Sequence, residues 1–598
     1  MFSINHLVLV SLLATESLAW QPLAPPIRSR ARSSPHGATR NHESTSITVA
    51  ASTMALKRRS WLRLGGVASA SEEREAADSL PQVSMFNSLT KQKDVLVPVK
   101  PGKISMYTCG PTVYDFAHVG NFRAFLTYDL VKRVLEYYGY DVTHICNLTD
   151  VDDKIIQRAT EQELDDVTKL TLKFENLFME DLKALNIRPA KAYPRATDYI
   201  PEMMEIILLL RDEGLAYETS DGSWYFRTQA QPGYGSKLVK LNYDEMESTE
   251  RAEATEEKEH FADFALWKGF KEGIDREDMS WESEDFKKGR PGWHLECSAM
   301  IRKFFGSETI DLHGGGVDLK FPHHENEIAQ SEGAMMATAK AHGNHDGPCS
   351  CVFCNCWFHN GFVNIGDEKM SKSLGNFLTL RGACPTGDDV RAYRYLVISS
   401  QYRSALAFTH EAMNASKNAI KRIDKVRAQM EEALAAAGSG TDDGVNGGES
   451  NIADSIVPGA LQNFETALTD DLSMPRATAA LFSVVKAAEQ ELKRVAKEGD
   501  SLLDLKGLQA AWDAMNTMDQ IFGIFYEVPY TAEEEEKAQE QNGCADAVPD
   551  EVLQLVSERT AAKEAKDWEM ADSLRSRITD LGFAVKDVKG GEPIVSRL

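Results

Sequence analysis

Ile104-Ser-Met-Tyr-Thr-Cys109 predicts a buried strand, and the segment Phe122-Arg-Ala-Phe-Leu-Thr-Tyr-Asp-Leu-Val-Lys-Arg-Val-Leu-Glu-Tyr-Tyr138 that follows a Gly-Pro turn has apolar residues three and four apart. That spacing predicts a helix with one apolar face, which Gly139 ends. Residues 141–148 predict a second strand. Strand, helix and strand in succession form a βαβ unit, so we expect an α/β fold with a parallel sheet. The turn at 109–121 then lies at the carboxyl edge of that sheet, where such folds bind ligands.

That turn contains His118-Val119-Gly120-Asn121 at the start of the predicted helix. The first N–H groups of a helix have no partner within the helix and point at an anion, so they favour a phosphate group there. His118 would donate a hydrogen bond, and Gly120 would allow the phosphate to approach the backbone. A capped turn without a ligand remains the alternative for this short motif.

A second cationic motif is Lys369-Met-Ser-Lys372-Ser-Leu-Gly-Asn376. Two lysines three residues apart, among serines and before a glycine, suit a loop that stabilises the charge on a leaving polyphosphate. A solvated surface loop is the alternative. The order of the two motifs on a βαβ core resembles that of the class I aminoacyl-tRNA synthetases.

Four residues of types that bind zinc are spread along the chain. Cys109 directly precedes the nucleotide turn, and Cys297 lies in Gly-Trp-His-Leu-Glu-Cys297. His323 and Glu327 are four apart, so they share one helix face. Two thiolates, an imidazole and a carboxylate form a tetrahedral donor set for zinc if the fold brings them together. The alternative is that a lone cysteine in a strand serves only to pack the core.

The composition excludes several classes of protein. At 598 residues the chain is expected to form several domains, and 42% hydrophobic with 26% charged residues excludes a mainly disordered, collagen-like or membrane-embedded chain. Nine cysteines scattered over this length do not indicate a secreted disulfide framework. The formal net charge of −25 argues against a nucleic-acid partner, although eighteen of these negative charges fall in residues 244–263, 436–454 and 533–551.

The amino terminus has the composition of a targeting leader. Leu7 to Ala14 is an apolar run too short to span a bilayer, and it ends near Ala19 as a signal peptide does. The stretch that follows, to about Ala70, is basic, acid-poor and rich in serine, like a transit peptide. We expect a two-part leader that directs the protein to a plastid. A plain secretory signal, or a mitochondrial presequence that begins at Met54, is the alternative, and dual targeting is a further one.

From Val95 to the carboxyl terminus the chain resembles the cysteinyl-tRNA synthetase family. The segments that carry this resemblance are long and occur in order, which makes it specific. They are Tyr107-Thr-Cys-Gly-Pro-Thr-Val-Tyr-Asp115, Asn147-Leu-Thr-Asp-Val-Asp-Asp-Lys154, Gly289-Arg-Pro-Gly-Trp-His-Leu-Glu-Cys297, His313-Gly-Gly-Gly-Val-Asp-Leu319, Phe321-Pro-His-His-Glu-Asn-Glu-Ile-Ala-Gln330 and the lysine loop.

The resemblance implies a fold and a set of domains. The fold would be a Rossmann-type class I catalytic domain with an inserted subdomain, then an α-helical anticodon-binding bundle and a small C-terminal domain. Together with the composition of the leader and of the two linkers, the resemblance gives these divisions: a disordered leader at 1–85, the catalytic domain at 86–400, connecting helices at 401–440, a linker at 441–454, the bundle at 455–530, an acidic linker at 531–549 and the small tRNA-binding domain at 550–598.

The resemblance also implies the chemistry. Zinc would be held by Cys109, Cys297, His323 and Glu327, and the thiol of the substrate L-cysteine would complete the metal shell. Thr149, Trp293 and His313 would surround the bound amino acid. ATP would enter with Mg²⁺ and bind His118, Gly120, Asn121, Lys369 and Lys372, and all of these except Gly120 form the catalytic set. The product would be cysteinyl-tRNA(Cys), made by a monomer that is not membrane-bound in its mature form.

Three other functions agree less well with the sequence. A cysteine ligase for an amino-sugar acceptor would lack the anticodon-binding end, which this chain has, and a non-catalytic tRNA-binding paralogue would not need the catalytic motifs. A zinc hydrolase is disfavoured because residues 323–327 do not give the His-Glu-X-X-His arrangement.

Two features depart from the family pattern. Asn121 stands where the class I pattern often has histidine, and an amide still donates a hydrogen bond. Residues 342–356 look inserted, and their thiols Cys349, Cys351, Cys354 and Cys356 predict a reduced surface loop, with a second metal site or a redox switch as alternatives.

Overall fold

The computed structural model describes residues 79–241, 258–341, 351–365, 368–369, 378–438, 450–498, 503–529, 550–564, 567–580, 583–586 and 594–597. The strands of this described part are, in chain order, β1 (Ser84–Asn87), β2 (Gln92–Val95), β3 (Lys103–Thr108), β4 (Asp141–Cys146), β5 (Ala216–Glu218), β6 (Trp224–Phe226), β7 (Phe264–Gly269), β8 (Gly289–Pro291), β9 (Ile310–Gly316), β10 (Cys354–Asn360), β11 (Val363–Ile365), β12 (Glu368–Lys369), β13 (Leu406–Ala407), β14 (Phe583–Lys586) and β15 (Ile594–Arg597).

The same part contains the α-helices in the following order. They are α1 (Val119–Tyr137), α2 (Asp153–Glu161), α3 (Thr168–Ala184), α4 (Ile200–Asp212), α5 (Trp293–Phe305), α6 (His323–Ala341), α7 (Leu380–Ala383), α8 (Gly387–Ile398), α9 (His410–Gly438), α10 (Val457–Thr469), α11 (Met474–Glu498), α12 (Leu505–Phe522), α13 (Asp550–Glu564) and α14 (Trp568–Asp580). None of these described helices is long and apolar enough to cross a membrane.

A four-stranded parallel sheet in the order β10-β9-β3-β4 forms the centre of the catalytic part. Tyr107 of β3 pairs with His313 of β9, and His313 pairs with Trp357 of β10. All three side chains are buried, as expected for a parallel sheet that is covered on both faces. The predicted α/β fold is therefore confirmed.

The βαβ unit has the predicted order with shifted boundaries. Helix α1 begins three residues before the predicted Phe122, because His118 and Asn121 form a capping box. The side chain of His118 accepts a hydrogen bond from the backbone of Asn121, and the side chain of Asn121 accepts one from the backbone of His118. β3 ends at Thr108, so Cys109 is the first residue beyond the strand.

An antiparallel sheet, β5-β6-β7-β8, is inserted between helices α4 and α5. Its core is aromatic, with the ring of Phe226 stacked on that of Phe264 and Trp267 packed against Phe286. Gly292 follows β8 directly, and a Cβ there would meet the carbonyl oxygen of Ala265 at 2.0 Å. This close approach joins the inserted sheet to the start of α5, which carries Trp293 and Cys297.

Helices α9, α10, α11 and α12 pack against one another as a bundle. In α12 the buried residues Leu508, Ala511, Met515, Met518 and Phe522 alternate at spacings of three and four, the pattern of a helix with one buried face. Residues 439–449, where one domain boundary was predicted, and residues 530–549, which contain the other, lie outside the described residues.

Helices α13 and α14 and the hairpin of β14 and β15 form a small unit with its own apolar cluster, which includes Leu555, Leu574 and Ile578. Trp568 is 60% exposed at the start of α14. Trp568 is therefore not part of the core of this unit.

A buried ion cluster connects α1 with α8. Asp129 accepts hydrogen bonds from Arg133 at 2.7 Å and from Arg394 at 2.8 Å, and all three side chains are buried. Burial alone raises the pKa of Asp129, but the charges of the two arginines outweigh it and hold that pKa below its ordinary value. A buried carboxylate between two guanidinium groups is stable only while all three are present.

We expect Asp129→Asn to destabilise the protein by about 3 kcal/mol, because two buried guanidinium groups lose their counter-charge. Asp470→Asn is the matched control, since Asp470 pairs with Lys93 at an exposed position and its loss costs less than about 1 kcal/mol. The measurement is thermal and urea unfolding of both variants. Because the pKa of Asp129 is lowered in the fold, its stabilisation is present above the ordinary aspartate pKa of about 4 and is lost as the pH falls below it. Equal stability of the Asp129→Asn and Asp470→Asn variants at pH 7 would contradict the predicted role of Asp129.

Candidate active site and metal centre

A cavity of about 430 Å³ opens at the carboxyl edge of the parallel sheet. Cys109 and the turn that follows line one side of it, and Trp293 and Asp318 line another. The predicted nucleotide residues His118, Gly120 and Asn121 all lie on its wall. The turn is therefore both a capped helix start, which was the alternative interpretation, and part of the cavity.

The turn approaches its neighbour β4 very closely. A Cβ at position 110 would lie 1.6 Å from the carbonyl oxygen of Asn147, so only glycine fits there. The backbone N–H of Gly110 donates to the side-chain oxygen of Asn147 at 2.8 Å. This contact fixes the direction in which the chain leaves Cys109.

The lysine loop is described only at its edges. Lys369 ends the two-residue strand β12, and its side chain lies outside the described residues, as does the whole of Lys372. After the loop, Leu378 accepts a hydrogen bond from the backbone of Val119 at 2.9 Å, and Thr379 forms a β-bridge with His118. The two predicted motifs are therefore adjacent through the residues that flank the loop.

The four predicted zinc ligands lie together in the interior. The Sγ atoms of Cys109 and Cys297 are 3.9 Å apart, and the Sγ atom of Cys297 is 3.5 Å from Nε2 of His323. Oε1 of Glu327 lies 3.0 Å from Nε2 of His323 and 3.8 Å from Sγ of Cys109. In a tetrahedral zinc site with bonds of about 2.0–2.3 Å, neighbouring donor atoms are about 3.3–3.8 Å apart. The donor set thus fits a zinc ion in both chemistry and spacing.

A second metal-capable group overlaps the first and shares Cys109 and Glu327 with it. Its other members are His313, whose Nε2 is 2.8 Å from Glu327, and His324, whose Nε2 is 3.3 Å from Cys109. The second group contains one thiol instead of two, and Nδ1 of His313 is buried without a hydrogen-bond partner among the described residues. Since metal-binding imidazoles usually have their other nitrogen hydrogen-bonded, the first group is the better zinc site.

Further histidines orient the ligands. Nδ1 of His323 lies 3.1 Å from Nδ1 of His294, so when Nε2 of His323 faces the cluster its Nδ1–H donates to His294. Burial and the nearby charge of His323 lower the pKa of His294 to about 3, which keeps it neutral and able to accept. On the other side, His324 is hydrogen-bonded to His359, and His359 to Ser88, at 2.8 Å each.

The acidic groups of the cluster differ in how readily they lose a proton. Burial raises the pKa of Cys109 well above its ordinary value. Burial also opposes ionisation of Cys297, but hydrogen bonds with Cys109 and His323 lower the pKa of Cys297 to about 6. Burial raises the pKa of Glu327, yet the charges of His313 and His323 outweigh it and bring that pKa to about 2. These shifts favour a thiolate at Cys297 and a carboxylate at Glu327, the donor charges that suit a divalent metal ion.

The three residues predicted around the amino acid occupy different positions. Trp293 lines the cavity and is 37% exposed. Thr149 is buried and donates to Glu296 at 2.8 Å. His313 is fully buried beside Glu327, as part of the second metal-capable group. Only Trp293 of the three lines the cavity wall.

Several residues of the site were missed at the sequence level, namely Asn147, His294, Glu296, His324 and His359. The pair His323-His324 indicated that His324 could also lie near the metal site. Because neighbouring residues on a helix point in different directions, only His323 was predicted as a ligand. The contacts of His294 and His359 join distant parts of the chain and leave no local pattern in the sequence.

The thiols of the inserted segment are not in a surface loop, so that prediction is wrong for Cys354 and Cys356. Both are buried in β10, opposite Ile310 and Leu312 of β9. Their spacing of two in an apolar run is typical of a strand. Cys351 is disulfide-bonded, and Cys349 lies outside the described residues. Neither metal-capable group in the described part contains a thiol of this segment.

Comparison with known proteins agrees with this geometry. The family model described as the class I (C) tRNA synthetase catalytic domain matches residues 95–418, a DALR domain matches 463–526, and a cysteinyl-tRNA ligase anticodon binding domain matches 545–592. The fold is similar to that of Mycobacterium tuberculosis methionyl-tRNA synthetase in complex with methionyl-adenylate, with a TM-score of 0.51 and 16% identity over 73% of this chain and 93% of that one. Fold and catalytic-domain match define a class I aminoacyl-tRNA synthetase.

The sequence relatives identify one family within this class. Cysteine–tRNA ligase of Chlamydia caviae is 37% identical over 529 residues, 88% of this chain and all of that protein. Those of Desulfitobacterium hafniense and Staphylococcus haemolyticus are each 38% identical over 85% of this chain and 98% of theirs. The chain belongs to the cysteine–tRNA ligase family.

We expect Cys297→Ser to lower the affinity for zinc by at least about 100-fold, because a hydroxyl replaces a thiolate in the cluster. The measurement is competition with a chromophoric chelator, followed by metal analysis of the dialysed protein. Cys384→Ser is the matched control, since Cys384 is equally buried but belongs to neither metal-capable group. Equal zinc content in both variants would rule out the assignment of Cys297 as a ligand.

Proposed function

We propose that the protein activates L-cysteine with ATP and transfers it to the 3′-terminal adenosine of tRNA(Cys). The observation that carries this proposal is the position of Cys109, which belongs to the metal-capable cluster and also lines the cavity that contains His118 and Asn121. One cavity thus meets both a thiol-recognising cluster and a nucleotide turn. The membership of the cysteine–tRNA ligase family supports the same activity.

The cluster explains how cysteine would be selected. Serine differs from cysteine only by oxygen in place of sulfur, so a pocket that recognised size would separate the two poorly. Zinc held by Cys109, Cys297, His323 and Glu327 would bind the substrate thiolate as a further ligand, a bond that a hydroxyl, which stays mostly protonated, forms weakly. The protein side chains hold the donor geometry, and Trp293 shapes the entrance beside them.

The first chemical step needs positioning more than proton transfer. An oxygen of the cysteine carboxylate attacks the α-phosphorus of ATP, the bond to the bridging oxygen breaks, and pyrophosphate leaves. His118, Gly120 and Asn121 are the residues for the phosphates, and ATP brings its Mg²⁺. Lys369 and Lys372 would stabilise the charge on the leaving pyrophosphate.

In the second step the tRNA supplies the acceptor. A hydroxyl group of the terminal adenosine attacks the carbonyl carbon of cysteinyl-adenylate, and AMP leaves. The DALR match at 463–526 covers most of α10 and all of α11 and α12, and the anticodon-binding match at 545–592 covers α13, α14 and β14. We assign recognition of tRNA(Cys) to them and expect a monomer.

One set of assays tests the function. We expect cysteine-dependent pyrophosphate exchange and charging of tRNA(Cys), with no transfer to an amino-sugar acceptor. Exchange without tRNA charging but with amino-sugar transfer would identify the amino-sugar ligase. Tight tRNA binding without exchange would identify a non-catalytic paralogue.

We expect Cys109→Ser to lose zinc and cysteine-dependent exchange together, each by at least about 100-fold, because the cluster selects the substrate thiol. Metal analysis and exchange are measured on the same preparation, with Cys384→Ser as the control. A zinc-free Cys109→Ser protein that retains full exchange would contradict the role of the metal.

For location we propose a plastid, on the composition of the leader, with the mitochondrion as the alternative and dual targeting as a further one. A fluorescent fusion of residues 1–90 is expected to enter plastids, while a fusion of 54–90 lacks the apolar run and stays outside them. Microscopy of both fusions in cells that contain plastids and mitochondria is the measurement. Mitochondrial signal from both fusions would contradict the plastid proposal, and secretion of the longer one would support a plain signal peptide.

A further inference from the structure

One polar side chain on the wall of the large cavity has an unused acceptor. Asn360 is the last residue of β10, is 4% exposed, and lines the cavity that also contains the nucleotide turn. Its Nδ2 group donates to the carbonyl oxygen of Gly361 at 3.1 Å, whereas its Oδ1 atom is buried without a hydrogen-bond partner among the described residues. Buried acceptors in proteins are nearly always paired, because an unpaired one is costly. We therefore expect a donor of the ligand to pair with this oxygen.

The orientation of the Asn360 amide follows from its neighbour. The group next to Nδ2 is the carbonyl oxygen of Gly361, which can only accept a hydrogen bond. If Oδ1 and Nδ2 were exchanged, two oxygen atoms would face each other. The nitrogen must therefore lie beside Gly361, and the oxygen is the atom that is left for a ligand.

The backbone next to Asn360 is held in place by several hydrogen bonds. The buried guanidinium group of Arg123, in α1, donates to the carbonyl oxygens of Phe362 and Tyr402. The backbone N–H of Gly361 donates to Tyr402 as well, at 2.9 Å. Asn360 is therefore fixed before the ligand binds, and a polar group that is fixed in advance loses little entropy when it forms a hydrogen bond.

The order of the strands indicates which part of ATP reaches Asn360. Cys109, which belongs to the metal-capable cluster, directly follows β3, and β10 lies two strands from β3 with β9 between them. At about 4.8 Å per strand, Asn360 lies about 10 Å from the cysteine end along the edge of the sheet. The start of α1, which is expected to bind the phosphates, is on the β3 side. In cysteinyl-adenylate the base is the end that is farthest from the amino acid, so the base is the part that extends to β10.

We propose that Asn360 selects the base of the nucleotide, and that its Oδ1 atom accepts a hydrogen bond from the 6-amino group of ATP. This inference rests on the proposed function, which makes ATP a substrate. Guanine has a carbonyl oxygen in the place of that amino group, and so does the hypoxanthine of ITP, so either base would place an acceptor against an acceptor. The buried oxygen would then stay unpaired, which favours ATP over nucleotides without the amino group by about 10- to 100-fold.

Removal of each partner in turn tests this contact. Asn360→Ala removes the acceptor, Asn360→Leu removes it but keeps the size of the side chain, and purine riboside triphosphate is ATP without the 6-amino group. Asn355→Ala is the matched control, because Asn355 lies in the same strand and is exposed. Each protein is assayed with both nucleotides by cysteine-dependent pyrophosphate exchange. Nucleotide affinity is measured separately, by displacement of a fluorescent ATP analogue.

We expect the wild-type protein to prefer ATP over purine riboside triphosphate by about 10- to 100-fold, both in kcat/KM and in affinity, because the analogue leaves Oδ1 unpaired. In both Asn360 variants the preference should fall to within about twofold, since the loss of one partner makes the loss of the other almost neutral. Asn355→Ala should keep the full preference. A purely structural role of Asn360 would instead weaken both nucleotides by the same factor and leave the preference unchanged.

Three results would overturn the role of Asn360. The first is no preference for ATP in the wild-type protein, and the second is a preference that survives in both Asn360 variants. The third is that these variants lose discrimination against 2′-deoxy-ATP instead, which would place Oδ1 against the ribose. Failure of the proposed function is distinct, because the wild-type protein would then show no cysteine-dependent exchange, while the displacement assay would still report whether Asn360 selects the base.

Discussion

A buried carboxylate or thiolate needs a compensating charge or hydrogen bonds, and at two buried clusters the protein supplies positive charge in different ways. At Asp129 the charge comes from the guanidinium groups of Arg133 and Arg394, which make the cluster a structural joint. At Glu327 and the two thiols it comes from imidazoles, which can be neutral and can bind a metal ion. The first solution fixes the fold, and the second leaves a set of donors open to a ligand. The difference between arginine and histidine thus separates a structural cluster from a functional one.

The net charge of −25 gave a misleading impression of the partners. Binding to a polyanion depends on the charges that face it, not on the total. The basic positions of α9 show the distinction. Lys417 forms an ion pair with Asp389, and Arg427 packs on the ring of Phe525 at 3.7 Å, so these two support the bundle. Lys421 and Lys425 form no ion pair within the described part of the chain, and they are the cations that remain for a phosphate backbone.

The sequence was informative wherever the site depends on residues that are a few positions apart or on a local pattern of strands and helices. The spacing of four between His323 and Glu327 correctly placed both at one cluster, and the βαβ pattern correctly placed the nucleotide turn at a sheet edge. Contacts between distant residues had no such signal. The bond of Arg394 to Phe522 joins positions 128 residues apart, and only the packed fold brings them together. The surface-loop prediction was wrong for Cys354 and Cys356 because the period of two in an apolar run, which indicates a strand, received too little weight.

Residues 342–356, which look inserted from the sequence alone, include the start of β10. Cys354 is the first residue of β10, and Asn360, the last, lines the cavity. The seven residues of this strand span about 20 Å, so the start of β10 lies at the edge of the sheet opposite the site. In a parallel sheet every strand enters at the same edge and ends at the other, so additions at the entry edge leave the ligand edge unchanged. A change of equal length between Cys109 and Asn121 would instead separate the metal cluster from the nucleotide turn, because that segment belongs to both.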